Sequence, residues 1–216
     1  MIPYQNKIFI TGIGTGIGKT VVSAIITEAL EADYWKPIQA GFEEGTDSTY
    51  VKQLISNLNS IIHSEVYKLS MPASPHIASA AEGIEIDLAE IKKQEPTTTH
   101  ANKTLIIEGA GGLMVPLSKS TFVVDLIQSL NAKVLLVSRN YLGSINHSLL
   151  TATVCKERKL DVIGWLFNDQ YLNYEAEIAN WSGYENIGSI PSADMIDKDF
   201  INEQAQLLRP KLLAVL

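Results

Sequence analysis

The stretch from Phe9 to Ile25, FITGIGTGIGKTVVSAI, constrains the fold more than any other part of the chain. Four glycines, at positions 12, 14, 16 and 18, stand within seven residues, and Lys19 and Thr20 follow directly. Before them, Lys7 to Thr11 is apolar and β-branched and reads as a short buried strand. After them, Val21, Val22, Ala24, Ile25, Ile26, Ala29 and Leu30 make a broad helical stripe, with Glu28 and Glu31 off its centre. The glycines therefore turn a strand into a helix. Lacking Cβ, they admit positive φ and let a ligand approach the backbone. A helix N-terminus offers unpaired N–H groups and positive potential, and successive N–H groups wrapped around one point form an anion nest. Lys19 adds a full charge and Thr20 a hydroxyl able to ligate Mg²⁺. Together these supply what holding a nucleotide's phosphates requires.

The spacing is not the standard one. In G-x4-G-K-[ST] the first glycine would fall at Ile13, whereas Gly12 lies one residue earlier, giving G-x5-G-K-T. The dinucleotide pattern G-x-G-x-x-G also fails, because Ile17 occupies its last position after Gly12 and Gly14. A lengthened phosphate loop accounts for the strand, glycines, Lys-Thr pair and amphipathic helix together.

Several classes of function are excluded by composition. With 17 basic against 24 acidic residues the net charge is −7, and the basic residues are scattered, so no nucleic-acid partner is expected. The longest apolar runs, such as Lys133 to Val137, are strand-sized and far too short to span a bilayer. The N-terminus lacks the charged and apolar regions of a signal peptide, so a cytoplasmic location is expected. Cys155 is the only cysteine, which excludes an internal disulfide and a cysteine-built zinc site; its helical surroundings suggest packing.

Strand and helix patterns alternate along all 216 residues, which argues for one α/β domain with a mainly parallel sheet and helices on both faces. Tyr34 to Ile38 reads as a short strand interrupted by Pro37, residues 41 to 47 as a loop, and Ser48 to Leu58 as a helix. Lys103 to Glu108 reads as a buried strand ending at an acid, followed by Gly109, Ala110, Gly111 and Gly112. Helices are predicted over Phe122 to Leu130, Ser144 to Arg158 and Tyr174 to Trp181, and strands over Val134 to Ser138, Val162 to Phe167 and Asn186 to Ile190. A closing helix runs from Phe200 to Leu213, with Pro210 expected to shorten it.

Ligands of open α/β sheets sit at the carboxyl ends of the strands, where the glycine loop, Lys36, Glu108 and Asn168 all fall. Lys36 at such an edge is a functional candidate rather than a surface lysine. Asp47, in the run GTDST, reads equally as a helix N-cap and as a metal-reaching carboxylate. Glu108 facing a phosphate loop is placed to hold Mg²⁺ or its water shell. The glycines after it let a substrate approach closely. Ser74-Pro-His76 reads as a helix start, with serine as N-cap and proline at N1. Asn168 offers both a donor and an acceptor, suited to an adenine edge or to a turn.

This set of residues resembles the dethiobiotin synthetases of biotin synthesis. The matching pieces are TGIGTGIGKT, WKPIQAG, SPHIAS, IEGAGGLMVPL, LGSINHSLLTA and GWLFND, in the family's order between residues 11 and 169, nearly three quarters of the chain. The resemblance implies a phosphate-loop α/β fold, a homodimer with active sites near the interface, and an ATP- and Mg²⁺-dependent ring closure. The substrates would be 7,8-diaminononanoate and CO2, and the products dethiobiotin, ADP and phosphate. Carried over position by position, Gly16, Ile17, Gly18, Lys19, Thr20 and Val21 would hold ATP. Thr20, Asp47 and Glu108 would form the metal site, with Gly109 and Ala110 beside the nucleotide. Lys36 would steady the carbamate and the transferring phosphoryl, and Thr15 and Gly111 would touch the carbamate. Asn168, Asp169, Pro191, Ser192 and Ala193 would frame adenine. Leu142, Gly143, Ser144, Ile145 and Asn146, from the other subunit, would hold the substrate's carboxylate tail at a helix N-terminus.

Two positions depart from the family pattern. Ala40, among the expected substrate contacts, stands where the family usually carries serine or threonine, so no side-chain hydroxyl is offered there. Gly16 replaces an acid found in some members. The rival reading is a deviant phosphate-loop ATPase of the partitioning or metal-centre assembly class. Those proteins carry a signature lysine early in the loop, where this chain has Gly14.

Overall fold

The computed structural model describes residues 1–169 and 171–216. In chain order the elements begin with β1 (Ile2–Pro3), β2 (Asn6–Gly12), α1 (Lys19–Leu30), β3 (Asp33–Trp35), β4 (Ile38–Ala40) and α2 (Asp47–Leu54). Then come β5 (Ile62–His63), β6 (Tyr67–Leu69), α3 (Pro75–Ala81), α4 (Leu88–Lys93), β7 (Thr97–Thr98), β8 (Thr104–Glu108) and α5 (Val123–Leu130). The last part contains β9 (Lys133–Arg139), α6 (Ser144–Glu157), β10 (Val162–Asn168), α7 (Glu175–Ser182), β11 (Asn186–Ile190) and α8 (Lys198–Val215).

Seven strands form one sheet in the order β11-β10-β9-β2-β8-β3-β5, and every pairing in it is parallel. Parallel strands need both faces covered, and strand alternation divides the core accordingly. Ile8, Ile10, Ile106, Leu135, Val137 and Leu166 point to the face covered by α1 and α8. Phe9, Leu105, Ile107, Leu136, Trp165 and Phe167 point to the face covered by α5, α6 and α7. Cys155 lies in this second layer, a free and buried thiol. Burial pushes its pKa up to about 12, in keeping with a packing role.

Three elements differ from the sequence expectation. The segment Tyr34 to Ile38 is two strands rather than one. β3 ends at Trp35 inside the main sheet, and β4 pairs with β6 in a separate two-stranded sheet. Pro37 at the break has no N–H for either ladder, while its carbonyl accepts from Val66 at 2.9 Å and Tyr67 at 3.0 Å. The chain leaves the sheet where Lys36 stands. α2 stops at Leu54 instead of Leu58, because Glu28 on α1 accepts the backbone N–H groups of Ser56 and Asn57, at 2.8 and 3.1 Å. Pro210 does not shorten α8, which continues to Val215. Leu208 and Leu212 are buried on either side of it. Their burial supplies about 3–6 kcal/mol, enough to offset the roughly 3 kcal/mol cost of an internal proline.

Candidate active site

The glycine loop runs from the end of β2 into α1. A Cβ at Gly12 would stand 2.0 Å from the carbonyl oxygen of Val137 on β9, so only glycine lets these strands lie this close. Gly18 is the N-cap of α1 with φ +87, and a Cβ there would lie 2.5 Å from Nδ2 of Asn168. That Asn168 amide donates to the carbonyl of Ile17 at 2.5 Å, tying the loop to the end of β10. At Gly14 and Gly16 an added Cβ would meet open space. Gly12 is thus demanded by packing, Gly18 by packing and backbone, and Gly16, with φ +70, by backbone; Gly14 and Gly16 border the cleft.

Four charged side chains, from α1, α2, β8 and the segment after β3, converge on this loop. Lys19 is buried, and its Nζ donates to the carbonyl of Gly14 at 2.7 Å. Lys36, just beyond β3, donates to Oε1 of Glu108 at 3.0 Å and forms an ion pair with Asp47. Thr20 Oγ1 lies 2.9 Å from Glu108 Oε1 and 3.2 Å from Asp47 Oδ1. Lys36 is 5% exposed and Glu108 1%, so neither is a solvated strand end. The N-cap reading of Asp47 gives way. Thr46 is the N-cap, accepting from the N–H of Thr49 at 3.2 Å, and Asp47 is the first helical residue with its carboxylate turned to Lys36.

Burial lowers the Lys19 pKa to about 8 against the pull of Glu108; Lys36 lowers it further and Asp47 raises it. Burial also acts against the charge on Lys36, but Glu108 and Asp47, both bonded to it, outweigh that effect and leave it above the ordinary lysine value. The two lysines therefore differ: Lys36 is a fixed cation, while Lys19 titrates near the working range.

Sequence reasoning missed Tyr34 and Gln39. The Tyr34 hydroxyl, wholly buried, donates to Glu108 Oε2 at 2.9 Å. Burial first, then Glu108, hold its pKa well above the ordinary value, so it remains a donor. The signal was present: a tyrosine on a buried strand needs a partner for its hydroxyl, and Tyr34 lies two residues before Lys36. Gln39 accepts from the N–H of Asp47 at 3.2 Å and donates to the carbonyl of Gly41 at 2.7 Å, pinning the loop between β4 and α2. Only the folded loop brings these groups together.

The charged cluster borders a cavity of about 690 Å³, which Thr15, Ala40, Gly111, Ser74 and Pro75 also line. Ser74 is at the N-cap of α3 with Pro75 at N1, but its hydroxyl pairs with His76 Nδ1 at 3.0 Å instead of capping the helix. On the other side of the loop a space of about 220 Å³ is lined by Val21, Asn168, Asp169, Pro191, Ser192 and Ala193. There Ser192 Oγ donates to Asp169 Oδ1 at 3.2 Å, and Arg139 pairs with Asp169 at 3.3 Å. A third space, about 790 Å³, joins Thr15 and Gly16 to Tyr141, Leu142 and His147. Leu142 is 86% exposed, and Asn146 is exposed and lines neither large cavity. Ser144 is turned inward, its hydroxyl 2.6 Å from that of Tyr174, and its N–H donates to the carbonyl of Tyr141 at 2.9 Å. Gly143 is the N-cap of α6, with Ile145 packed against the core behind it.

A family model described as an AAA domain matches residues 6–199. The ATP-dependent dethiobiotin synthetase of Christiangramia forsetii is 46% identical over 208 residues, covering 96% of this chain and 98% of that protein. The chain belongs to the dethiobiotin synthetase family. A second dethiobiotin synthetase, from Cytophaga hutchinsonii, is 49% identical over 203 residues, covering 93% of this chain and 96% of that protein. Solved structures extend the likeness in shape. The MinD cell division protein of Aquifex aeolicus has a TM-score of 0.57 at 16% identity, covering 97% of this chain and 96% of its own. A plasmid partition protein of Borrelia burgdorferi, bound to AMPPNP, has 0.58 at 13%, with full coverage of both chains. At such identities they share the fold alone. The dethiobiotin synthetases match in sequence as well, so the partitioning class is not favoured.

Proposed function

We propose that this chain joins 7,8-diaminononanoate and CO2 into dethiobiotin at the expense of ATP, releasing ADP and phosphate. The carrying observation is identity of 46–49% to dethiobiotin synthetases along nearly their whole length. The convergence of Lys19, Lys36, Thr20, Asp47 and Glu108 at one loop supports it chemically.

In this reading the backbone N–H groups from Gly16 to Val21 cradle the phosphates, and Lys19 shifts its ammonium from the Gly14 carbonyl to the β/γ phosphates. Asn168 keeps Nδ2 on the loop and offers Oδ1 to the adenine amino group, with Asp169 and Pro191 to Ala193 around the base. Thr20, Asp47 and Glu108 present oxygen donors only, the set a hard dication prefers. Among the described residues no group of three or more His, Cys, Asp or Glu is placed to hold a metal ion, so phosphate oxygens and water would supply the remaining ligands. Mg²⁺ bound there would neutralise charge on the transferring phosphoryl. Gly109 and Ala110 leave room beside it.

One substrate amine captures CO2 as a carbamate, which Lys36, Thr15 and the backbone at Gly111 hold. Its oxygen takes the γ-phosphoryl group, giving a carbamic-phosphoric anhydride and ADP. The neighbouring amine attacks the carbonyl carbon, phosphate leaves, and a five-membered ring closes. The protein supplies positioning and charge stabilisation. Ala40 borders the same cavity but offers no hydroxyl.

The acting unit in this reading is a homodimer, with Leu142 to Asn146 of the partner subunit holding the substrate's carboxylate tail. Leu142, Leu150 and Met114, each at least half exposed, offer apolar surface for a second copy to cover. A tail bound within one chain is the second reading, favoured by Leu142 sharing a cavity with Thr15. No helix among the described residues is long and apolar enough to cross a membrane.

The test is direct. The protein is incubated with the diamine, bicarbonate, ATP and Mg²⁺, and dethiobiotin and ADP are measured together. One ADP per dethiobiotin is expected, with no turnover when the diamine is omitted. ATP consumption without dethiobiotin would overturn the assignment.

A further inference from the structure

We propose that Lys36 is the resident cation of the metal site in the ligand-free protein, and that only arrival of the metal–nucleotide releases it to the carbamate. The inference rests on the metal-site reading above and goes beyond it, since it couples two groups assigned there to separate tasks.

The geometry leaves one set of oxygens for two cations. Glu108 Oε2 is taken by the buried Tyr34 hydroxyl at 2.9 Å. Oε1, on the side of Thr20, is the oxygen that a metal held with the Thr20 hydroxyl would meet. That same atom is 3.0 Å from Lys36 Nζ and 2.9 Å from Thr20 Oγ1. Asp47, the other acid of the set, is bonded to the same ammonium through Oδ2 and to Thr20 through Oδ1 at 3.2 Å. All the protein's candidate metal ligands thus already surround, or are bonded to the partners of, a buried positive charge. A dication sits about 2 Å from its oxygens, so it cannot share Oε1 with an undisplaced ammonium without strong repulsion in a poorly solvated site.

The buried Glu108 carboxylate, with the half-buried Asp47 beside it, would be costly without a cation, and Lys36 removes that cost before any ligand binds. A metal arriving alone must expel Lys36 and gains little; a metal arriving with phosphate oxygens gains further ligands. Once freed, the Lys36 ammonium faces the cavity that Thr15 and Gly111 also line, where the carbamate is assigned. The lysine that polarises the acceptor therefore becomes available only after the phosphoryl donor is in place.

The test measures Mn²⁺ binding to the nucleotide-free protein by electron paramagnetic resonance, beside turnover. Lys36→Met is expected to bind Mn²⁺ at least tenfold more tightly than the parent while losing at least a hundredfold in turnover. Lys36→Arg keeps the cation and is expected to bind Mn²⁺ no more tightly than the parent. Affinity in Lys36→Met equal to or weaker than the parent's overturns the inference. Glu108→Gln separates it from the reading beneath it. Weakened Mn²⁺ binding there, with no tightening in Lys36→Met, overturns the inference alone; unchanged binding overturns the metal site and the inference together. If Lys36→Met does not fold without metal, a structure of the parent with Mg²⁺ and a non-hydrolysable ATP analogue decides. Lys36 Nζ beyond hydrogen-bond distance of Glu108 Oε1 is expected, and a retained bond overturns the proposal.

Discussion

Nucleotide binding should take up a proton on Lys19. In the ligand-free protein its pKa lies near 8, chiefly because its ammonium is buried, with the Gly14 carbonyl as its acceptor among the described residues. At pH 7 about a tenth of the molecules carry it neutral, and at pH 9 about nine tenths. A polyphosphate beside it favours the ammonium, so the bound-state pKa lies higher. Affinity is then full below pH 8 and declines as pH rises, by about 1.4 kcal/mol, or tenfold, per unit until the bound-state pKa is reached. Uptake should be about half a proton at pH 8 and about 0.9 at pH 9. Calorimetry with a non-hydrolysable ATP analogue, in two buffers of different ionisation enthalpy at each pH, reads both quantities. Lys19→Arg keeps its charge throughout and should lose the pH dependence. Constant affinity between pH 7 and 9, with no buffer-dependent heat at pH 8, would refute the argument.

Tyr34→Phe keeps the shape of the core but leaves Glu108 Oε2 without its 2.9 Å donor; denaturant unfolding should show a loss of about 1.5–3 kcal/mol, and a loss below about 0.5 kcal/mol would mean the bond does not stabilise the carboxylate. Gly18→Ala forces φ +87 on a residue with Cβ and drives that Cβ to within 2.5 Å of Asn168; the analogue should bind at least about tenfold more weakly, from roughly 1–2 kcal/mol of backbone strain plus the lost tie to Ile17. Unchanged binding would show that the loop does not need its present shape. Mixing Asn146→Ala with Lys19→Ala subunits should restore one intact site per mixed dimer if the substrate tail is held across the interface. Mixed dimers shown to form without regaining activity would leave the tail within one chain.

The phosphate loop was legible because its information is local. A β-branched run, glycines in alternation, Lys-Thr and an apolar stripe of helical period lie within about two dozen consecutive residues, and β2 and α1 form there. The ends of β8 and β10 were legible for the same reason, since continuous apolar runs stop at Glu108 and Asn168. Three boundaries were not. The split at Pro37 depends on Val66 and Tyr67, the end of α2 on Glu28, and the continuation past Pro210 on side chains packed beneath α8. Each partner is remote in sequence or fixed only by packing, so local propensity had no access to it.

The sequence by itself determined that the chain is a parallel α/β protein with a nucleotide loop, and it named the lysines and acids at the strand ends. Local periodicity and residue chemistry suffice for that. What the tertiary structure decided is which of those groups touch. Parallel alignment of β2, β8 and β3 sets Thr20, Glu108 and Lys36 at one edge. Gln39 holds Asp47 against them, and Tyr34 claims one oxygen of Glu108. Those contacts join residues up to 88 positions apart, and burial holds them, because Lys36 and Glu108 have no water to turn to instead.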